Sequence, residues 1–148
     1  MTSALYPCVA AVGLTPDYRG VLKMILLDKV ELPYPPSVNH YWEPMVFRKA
    51  GRTIRGRRRS KRALDFVAAT LALLGRRNAF LGAVSVEIDV FMPDNRTRDL
   101  DNLCKGVLDC LSHAGVIGDD SQIIDLRIRN MRQVVKRGKI FVTMRAVD

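Results

Sequence analysis

The chain has 148 residues, of which 48% are hydrophobic and 26% are charged, and it carries a formal net charge of +9. These values are typical of one globular domain with its own core, and they exclude a chain that is disordered throughout. No stretch approaches the length of a membrane span, and no basic residue precedes the first apolar run, residues 8–14, as a secretory signal would require. We therefore expect a cytoplasmic protein.

The cysteines and histidines do not form the pattern of a zinc site. Cys8, Cys104 and Cys110 lack the paired C-x-x-C spacing, and the chain has only two histidines. We expect free thiols in a reducing compartment.

The first part of the chain shows no sustained hydrophobic periodicity. It contains four residues typical of turns, namely Pro7, Gly13, Pro16 and Gly20. We expect residues 1–22 to be an irregular leader and residues 23–148 to be a single domain. Residues 23–32 form an apolar, β-branched run that predicts the first strand of that domain.

Three prolines, Pro33, Pro35 and Pro36, end this strand, because proline lacks a backbone donor and holds the preceding residue extended. The loop that follows ends in Tyr41 and Trp42. Aromatic rings beside arginines can stack on exposed bases. Such rings more often fix a loop to the core, and we expect that role here.

The excess positive charge lies in one segment, residues 48–62, which contains no acidic residue. Its nine basic residues are Arg48, Lys49, Arg52, Arg55, Arg57, Arg58, Arg59, Lys61 and Arg62. Such a cluster most often faces a polyanion, and nucleic acid is the commonest one, although a solvated loop has the same composition. Gly51 and Gly56 predict a turn or a hairpin, so we expect an arm that binds DNA.

Ser60 is a typical N-cap and predicts a helix that continues to Leu74. Leu64, Val67, Leu71 and Leu74 recur at helical spacing and predict its buried face. The first turn of this helix is basic, which opposes the helix dipole. This favours a partner outside the chain, although a loose loop would tolerate the same arrangement.

A strand and a second helix follow. Apolar residues alternate with other residues from Val84 to Val90, which is the period of a strand with one apolar face. Four apolar residues then recur at helical spacing, namely Leu103, Val107, Leu111 and Ala114. Gly115 closes this helix in the usual C-terminal position.

The last third of the chain predicts two more strands, with Gly138 in the turn between them. Their alternating residues are Ile124, Leu126 and Ile128, and then Ile140, Val142 and Met144. We expect these two strands to pair as a hairpin. The strand–helix–strand order predicts a right-handed crossover, and hence an α/β (α+β) domain whose mixed sheet packs with two main helices.

Acidic residues lie at both ends of the second helix. Asp99 and Asp101 stand at its start, and Asp119 and Asp120 follow its end. A site that combines them would suit a hard divalent cation, which prefers carboxylates together with waters and phosphate oxygens. A helix of about 14 residues is about 20 Å long, so the chain must fold back for these groups to meet.

Each acidic residue also has a purely structural alternative. Asp99 can cap the helix, and the Asp119–Asp120 pair can form a turn. Asp101, Lys105 and Asp109 share one helix face, where Asp101 and Lys105 can form a surface ion pair.

Two sequence motifs nevertheless resemble the RusA family of Holliday-junction resolvases, over residues 24–146. They are the run Arg98-Asp99-Leu100-Asp101-Asn102 with Lys105 and Asp119-Asp120 downstream, and the loop Pro35-Pro36-Ser37-Val38-Asn39. The resemblance implies a RusA-like fold and a small homodimeric Mg²⁺-dependent endonuclease, often prophage-encoded, that nicks four-way DNA junctions symmetrically in recombination and repair. Mn²⁺ is expected to replace Mg²⁺.

Residue by residue, the resemblance implies that Asp99, Asp101 and Asp120 converge to bind the metal and that Asp119 supports them. Lys105 would lie near the scissile phosphate. Two alternatives stay open: a non-catalytic nucleic-acid-binding protein, such as a phage regulator, or a nuclease that acts on RNA, flap DNA or another branched substrate.

Overall fold

The computed structural model describes residues 13–16 and 22–147. Its strands are β1 (Gly13–Pro16), β2 (Leu22–Pro33), β3 (Trp42–Lys49), β4 (Arg52–Arg59), β5 (Val84–Met92), β6 (Ile123–Val134) and β7 (Lys139–Ala146). Its helices are α1 (Val38–Tyr41), α2 (Lys61–Leu74), α3 (Asp101–His113) and the single-turn 3-10 helix η1 (Asp120–Gln122).

Five strands form one mixed sheet in the order β1-β2-β7-β5-β6, and β3 and β4 form a separate two-stranded sheet. Strand β5 pairs in parallel with β6 and antiparallel with β7. Helix α3 connects the parallel pair, so the predicted strand–helix–strand unit and the mixed sheet are both confirmed. No helix of the described residues is long and apolar enough to cross a membrane.

The core lies between this sheet and the two long helices. Every second residue of β5, from Val84 to Met92, is buried, as its alternation predicted. The predicted stripe of α3, from Leu103 to Ala114, is buried as well. The burial of apolar side chains from both elements is the main stabilising contribution to such a domain.

Helix α2 has the predicted bounds, and its predicted face is buried except at Leu64, which is half exposed. The other three predicted residues are buried or pack against the core, namely Val67, Leu71 and Leu74. The buried face also includes three residues that the prediction omitted, namely Ala63, Phe66 and Thr70. It is therefore turned away from Leu64 and toward Phe66, because packing against the core selects between apolar residues that local spacing does not distinguish.

The predicted pairing of the last two strands is wrong, because β5 lies between β6 and β7. The connection over residues 135–138 passes over the end of β5, where the amide of Val135 donates to the carbonyl of Met92 at 2.9 Å. Gly138 has φ +65°, and a Cβ there would lie 2.7 Å from the Tyr34 ring. Strand β5 is buried and pairs on both sides, which a local hairpin would prevent.

Part of the predicted irregular leader is a strand. Residues 13–16 pair antiparallel with β2, and Gly13 lies opposite Ile25. Their backbone groups complete the ladder at the edge of the sheet, a role that needs no hydrophobic periodicity. The rest of the leader, with Cys8, lies outside the described residues, while Cys104 and Cys110 are free thiols.

Candidate functional site

The start of α3 presents two carboxylates that have no role in capping the helix. Leu100 occupies the N-cap position and no side chain caps the first turn, so the alternative of Asp99 as an N-cap is wrong. Asp99 and Asp101 are both exposed, and neither forms an ion pair within the part of the chain that the structure describes. Asn102 Nδ2 donates to Asp99 Oδ2 at a long 3.5 Å. Both carboxylates therefore remain available to a ligand.

The loop that leads to Asp99 is held by a bidentate ion pair. Arg98 donates from Nη2 to Asp94 Oδ2 at 2.7 Å, and its Nη1 donates to the other carboxylate oxygen. The backbone amide of Arg96 also donates to Asp94 Oδ1 at 2.9 Å. These hydrogen bonds, with that of Arg98 first, hold the pKa of Asp94 well below its usual value. They fix the loop from which Asp99 projects.

Asp99 lines a cleft of about 840 Å³ between this loop, the proline-rich segment after β2 and the start of α2. Arg62, Arg96, Arg98 and Asn102 line the same cleft. A carboxylate among several guanidinium groups suits a ligand that carries both a cation and phosphate oxygens.

Lys105 lies one turn after Asp101 and is exposed. The surface ion pair considered for these two residues is not formed, since no ion pair in the described ranges joins them. Residues four apart share a helix face, so the Lys105 ammonium extends from the same side of α3 as the Asp101 carboxylate. The two groups form a zone of mixed charge beside the cleft.

The second acidic pair has a structural role in one member only. Asp119 Oδ1 accepts from the amide of Ser121 at 2.9 Å, and Gln122 completes a capping box on η1. The hydrogen bonds with Ser121 lower the pKa of Asp119. Asp120, the first residue of η1, is exposed and has no such role.

The two acidic pairs lie at opposite ends of β5. Gln122 Nε2 donates to the carbonyls of Phe80 and Gly82 at 2.9 and 2.7 Å, which fixes η1 where β5 begins. Asp99 follows the other end of β5, and a nine-residue strand is about 27 Å long. Within one chain, no group of three or more His, Cys, Asp or Glu among the described residues can hold a metal ion. A single chain thus places Asp99 and Asp101 at the start of α3 and leaves Asp120 about a strand length away.

The arginine-rich segment forms the predicted hairpin, β3–β4. Ala50 and Gly51 form its turn with φ +49° and +75°, the pair of positive angles that a tight type I′ connection requires. Cross-strand pairing sorts its side chains. One face carries four arginines and the tryptophan, namely Trp42, Arg48, Arg55, Arg57 and Arg59. The other face carries apolar residues together with three basic ones, namely Met45, Phe47, Ile54, Lys49, Arg52 and Arg58.

Three of the nine basic residues already have partners. Arg58 pairs with Glu43 at 2.6 Å and Lys61 pairs with Asp65 at 3.6 Å. Arg59 Nη2 lies 3.1 Å from His113 Nε2 on α3. The other six are exposed and form no ion pair within the described ranges. Five of them lie on the hairpin, three on one face and two on the other, and Arg62 lies on α2. The hairpin therefore presents positive charge that its own chain does not neutralise.

Sequence reasoning missed the role of Gly106 in α3, which makes room for the ring of Tyr41. Tyr41 is 3% exposed, and a Cβ at Gly106 of α3 would lie only 3.0 Å from its ring. A glycine inside a helix is the signal that could have revealed this close approach. The predicted anchoring role is confirmed for Tyr41 and wrong for Trp42, which is 38% exposed although it packs edge-on against Tyr41 at 5.6 Å.

Comparison with known proteins gives one consistent result. A family profile described as endodeoxyribonuclease RusA matches residues 33–145. A protein named crossover junction endodeoxyribonuclease RusA, from Escherichia coli K12, is 36% identical over 121 residues, covering 78% of this chain and 91% of its own length. The proteins of the same name from Enterobacteria phages HK97 and 82 are 35% and 33% identical over 97 and 118 residues, covering 66% and 78% of this chain and 77% and 91% of their own lengths.

Proposed function

This chain belongs to the RusA family of endodeoxyribonucleases, and from this membership we propose that it resolves Holliday junctions by nicking four-way DNA symmetrically. The observation that carries the proposal is the pair Asp99 and Asp101, which neither cap α3 nor pair with a described cation, beside the cleft and the basic hairpin. The alternative of a DNA-binding protein whose acidic residues only cap a helix gains no support from this arrangement. Residues 23–148 form the nuclease domain, which acts on DNA in the bacterial cytoplasm.

The residues present fit a divalent cation. The family implies such a metal, and we take it to be Mg²⁺, with Mn²⁺ as a substitute. Asp99 and Asp101 provide the one or two carboxylates that Mg²⁺ takes from a protein when waters and phosphate oxygens complete its coordination. Bound there, the cation would activate water and neutralise charge on the phosphate.

The other residues of the site position and stabilise the DNA backbone. Lys105 places a fixed positive charge on the same side of α3, where it stabilises the charge that develops on the scissile phosphate. Arg98 keeps the loop before Asp99 in one conformation through its two bonds to Asp94. Arg62 and Arg96 line the cleft and bind neighbouring phosphates.

The hairpin β3–β4 binds the arms of the junction. Its exposed arginines bind phosphate groups, which adds affinity and salt sensitivity but no sequence preference. We assign all nine basic residues of the segment to this surface, with Arg58, Arg59 and Lys61 exchanging their present partners for phosphates. Each mutation that removes one arginine–phosphate interaction is expected to lower the salt dependence of binding by about 0.9 in log–log slope.

The active enzyme is a homodimer in which two chains complete each metal site. A four-way junction is two-fold symmetric, and two symmetric nicks need two sites. One chain leaves Asp120 about a strand length from Asp99, so we assign the third metal carboxylate to Asp120 of the partner subunit. Asp119 supports it by fixing η1.

A synthetic four-way junction with Mg²⁺ or Mn²⁺ tests the nuclease activity. The expected result is paired, symmetric nicks in opposite strands, with a linear duplex and a flap substrate cut much more slowly. Tight binding without cleavage under either metal would overturn the nuclease proposal.

Heterodimers test the shared site. A dimer of one Asp101→Asn chain and one Asp120→Asn chain retains one intact site if the carboxylates come from different subunits, so about half of the wild-type nicking rate returns. A heterodimer of Asp99→Asn and Asp101→Asn chains is the matched control and stays inactive. If the first heterodimer is as inactive as the control, the site lies within one chain.

A further inference from the structure

The hairpin β3–β4 carries apolar side chains that the described part of the chain leaves exposed. Every residue from Val46 to Arg58 is exposed, so both faces of the outer part of the hairpin lie in water. Within it Val46 is 63% exposed, Phe47 40% and Ile54 38%. The hairpin packs mainly against α1 and α2, the elements that adjoin its two strands. It is therefore a projecting arm that combines basic and apolar groups.

Phe47 and Ile54 form an apolar pair near the tip of this arm. They lie directly opposite each other in the antiparallel register and so share one face. The next pair on that face, toward the turn, is Lys49 and Arg52. Two cations directly opposite each other destabilise a pair of strands. Neither cation forms an ion pair within the described ranges, so a bound anion would relieve their repulsion.

A glycine on the same face leaves a recess beside the apolar pair. Gly56 follows Ile54 by two residues and lies opposite Met45. A Cβ at Gly56 would meet no atom of the described residues within 4 Å, so the packing of the hairpin does not require glycine there. Glycine inside a strand weakens it, and it often marks a site where a ligand or another backbone approaches closely. The position therefore indicates a molecule that packs on this face.

The charge of the hairpin selects the kind of molecule. Five of its basic residues form no ion pair within the described ranges, namely Arg48, Lys49, Arg52, Arg55 and Arg57. A second copy of the chain on this face would bring two such sets of cations together. DNA instead supplies a negative charge about every 1.7 Å along its axis. The molecule that packs on the apolar pair is therefore DNA.

The apolar surface of DNA is accessible where base stacking is interrupted. In a linear duplex an inserted apolar side chain must first separate two stacked base pairs, which is unfavourable. At the crossover of a four-way junction the strands exchange and the stack of each arm can end. The flat faces of the last base pairs are then reached at a much lower unstacking cost. An apolar pair at the tip of a basic arm thus fits the crossover better than it fits a duplex arm.

We infer that Phe47 and Ile54 form an apolar wedge that packs against the base pairs at the crossover of a four-way junction. This inference rests on the proposed function and names the residues that distinguish a junction from a duplex. Each strand of the hairpin has eight residues and is about 26 Å long, so the tip reaches the crossover while the arginines nearer the root contact an arm. Lys49 and Arg52 bind the phosphates beside the wedge.

Binding of the full chain to a synthetic four-way junction and to a linear duplex tests the wedge. Asp101→Asn is present in every protein to prevent cleavage during the measurement. Phe47→Thr should weaken junction binding about tenfold, the usual contribution of an aromatic ring stacked on a base. Duplex binding should not change, because the phosphate contacts remain and threonine favours a strand as phenylalanine does. Ile54→Thr should have a smaller effect of the same kind.

Two further variants separate the wedge from the stability of the hairpin. Val46→Thr is the matched control, because Val46 is more exposed than Phe47 but lies on the opposite face, and it should change neither affinity. Gly56→Ala fits the hairpin but fills the recess, so it should weaken junction binding and leave duplex binding and the melting temperature unchanged or higher. If Phe47→Thr weakens both substrates equally, or neither, the ring has only a structural role and the inference is overturned.

A fluorescent base at the crossover reports the contact directly. The emission of 2-aminopurine rises when its stacking on neighbouring bases is disrupted. Saturating protein with the native hairpin should raise the emission of 2-aminopurine at the crossover and not in the middle of an arm. Phe47→Thr at saturation should leave the emission close to that of the free junction. An equal rise with the two proteins would overturn the inference.

These outcomes are independent of the nuclease activity, which is measured with native Asp101 and Mg²⁺. If that protein cuts the junction, and Phe47→Thr alters neither the preference for a junction nor the emission, the proposed function stands and this inference fails. If it cuts nothing under Mg²⁺ or Mn²⁺, and Phe47→Thr removes the preference for a junction, the wedge is supported and the nuclease proposal fails.

Discussion

The two acidic pairs at the ends of α3 have similar sequences and different surroundings. At the start of the helix, Asp99 and Asp101 are exposed, and the N-cap position belongs to Leu100. Beyond its end, Asp119 caps η1 and only Asp120 is left without a structural role. A carboxylate that stabilises its own chain is a poor candidate for a metal ligand. Asp99, Asp101 and Asp120 are therefore the candidate metal ligands, and Asp119 is the supporting residue.

The largest effect is expected at the start of α3. Asp101→Asn should lower the rate of junction cleavage by about 100-fold or more, because a group that stabilises the transition state is lost. The melting temperature should fall only slightly, since Asp101 neither caps the helix nor pairs with a described cation and loses only its interaction with the helix dipole. Asp109→Asn, two turns further along α3, is the control. Single-turnover cleavage measures the rate, and thermal unfolding measures the melting temperature. An Asp101→Asn protein that cuts at the normal rate would show that Asp101 is not a metal ligand.

The two aspartates of the other pair should respond differently to substitution. Asp120→Asn should reduce cleavage nearly as much as Asp101→Asn, whereas Asp119→Asn should keep most of the activity, because asparagine still accepts from the amide of Ser121. Asp119→Ala should lower the melting temperature, and Asp120→Ala should not. Equal losses of activity in the two asparagine variants would show that the division between these residues is wrong.

A third, smaller effect is expected from the loop before Asp99. Asp94→Asn breaks the bidentate pair with Arg98 and should lower cleavage about tenfold, the usual loss when a residue that orients a ligand is changed. The concentration of Mg²⁺ for half-maximal rate should rise. Glu31→Gln, which breaks a surface pair with Lys139 at 3.0 Å, is the control. An unchanged metal dependence in Asp94→Asn would contradict the positioning role.

The smallest effect concerns stability in acid. The pKa of Asp94 is lowered from 3.8 by its bonds to Arg98 and Arg96, so its stabilising contribution is full above that value and is lost as the pH falls through the lower folded-state pKa. The difference in unfolding midpoint between the wild type and Asp94→Asn should therefore shrink below pH 3.8. Urea unfolding near neutral pH and at about pH 2 measures it. A difference that stays constant would mean that the pair does not stabilise the fold.

Strongly periodic elements were predictable from the sequence. The burial of Val84 to Met92, the apolar stripe of α3 and the cap formed by Ser60 all follow from local patterns. The burial of Phe66 and the exposure of Leu64 on α2 could not be predicted from the sequence. Both residues are apolar, and only packing selects between them. The pairing of β7 with β5 joins residues about 50 to 60 positions apart in the chain, which no local pattern records.

The amino-acid sequence specifies which residues are available to the site. The sequence contains the basic segment and the motif with Asp99, Asp101 and Lys105. These two features are enough to identify the family. Only the tertiary structure decided which of these groups lie together. A rigid strand and helix hold the two acidic pairs at opposite ends of β5, since regular backbone hydrogen bonding fixes the length of both elements.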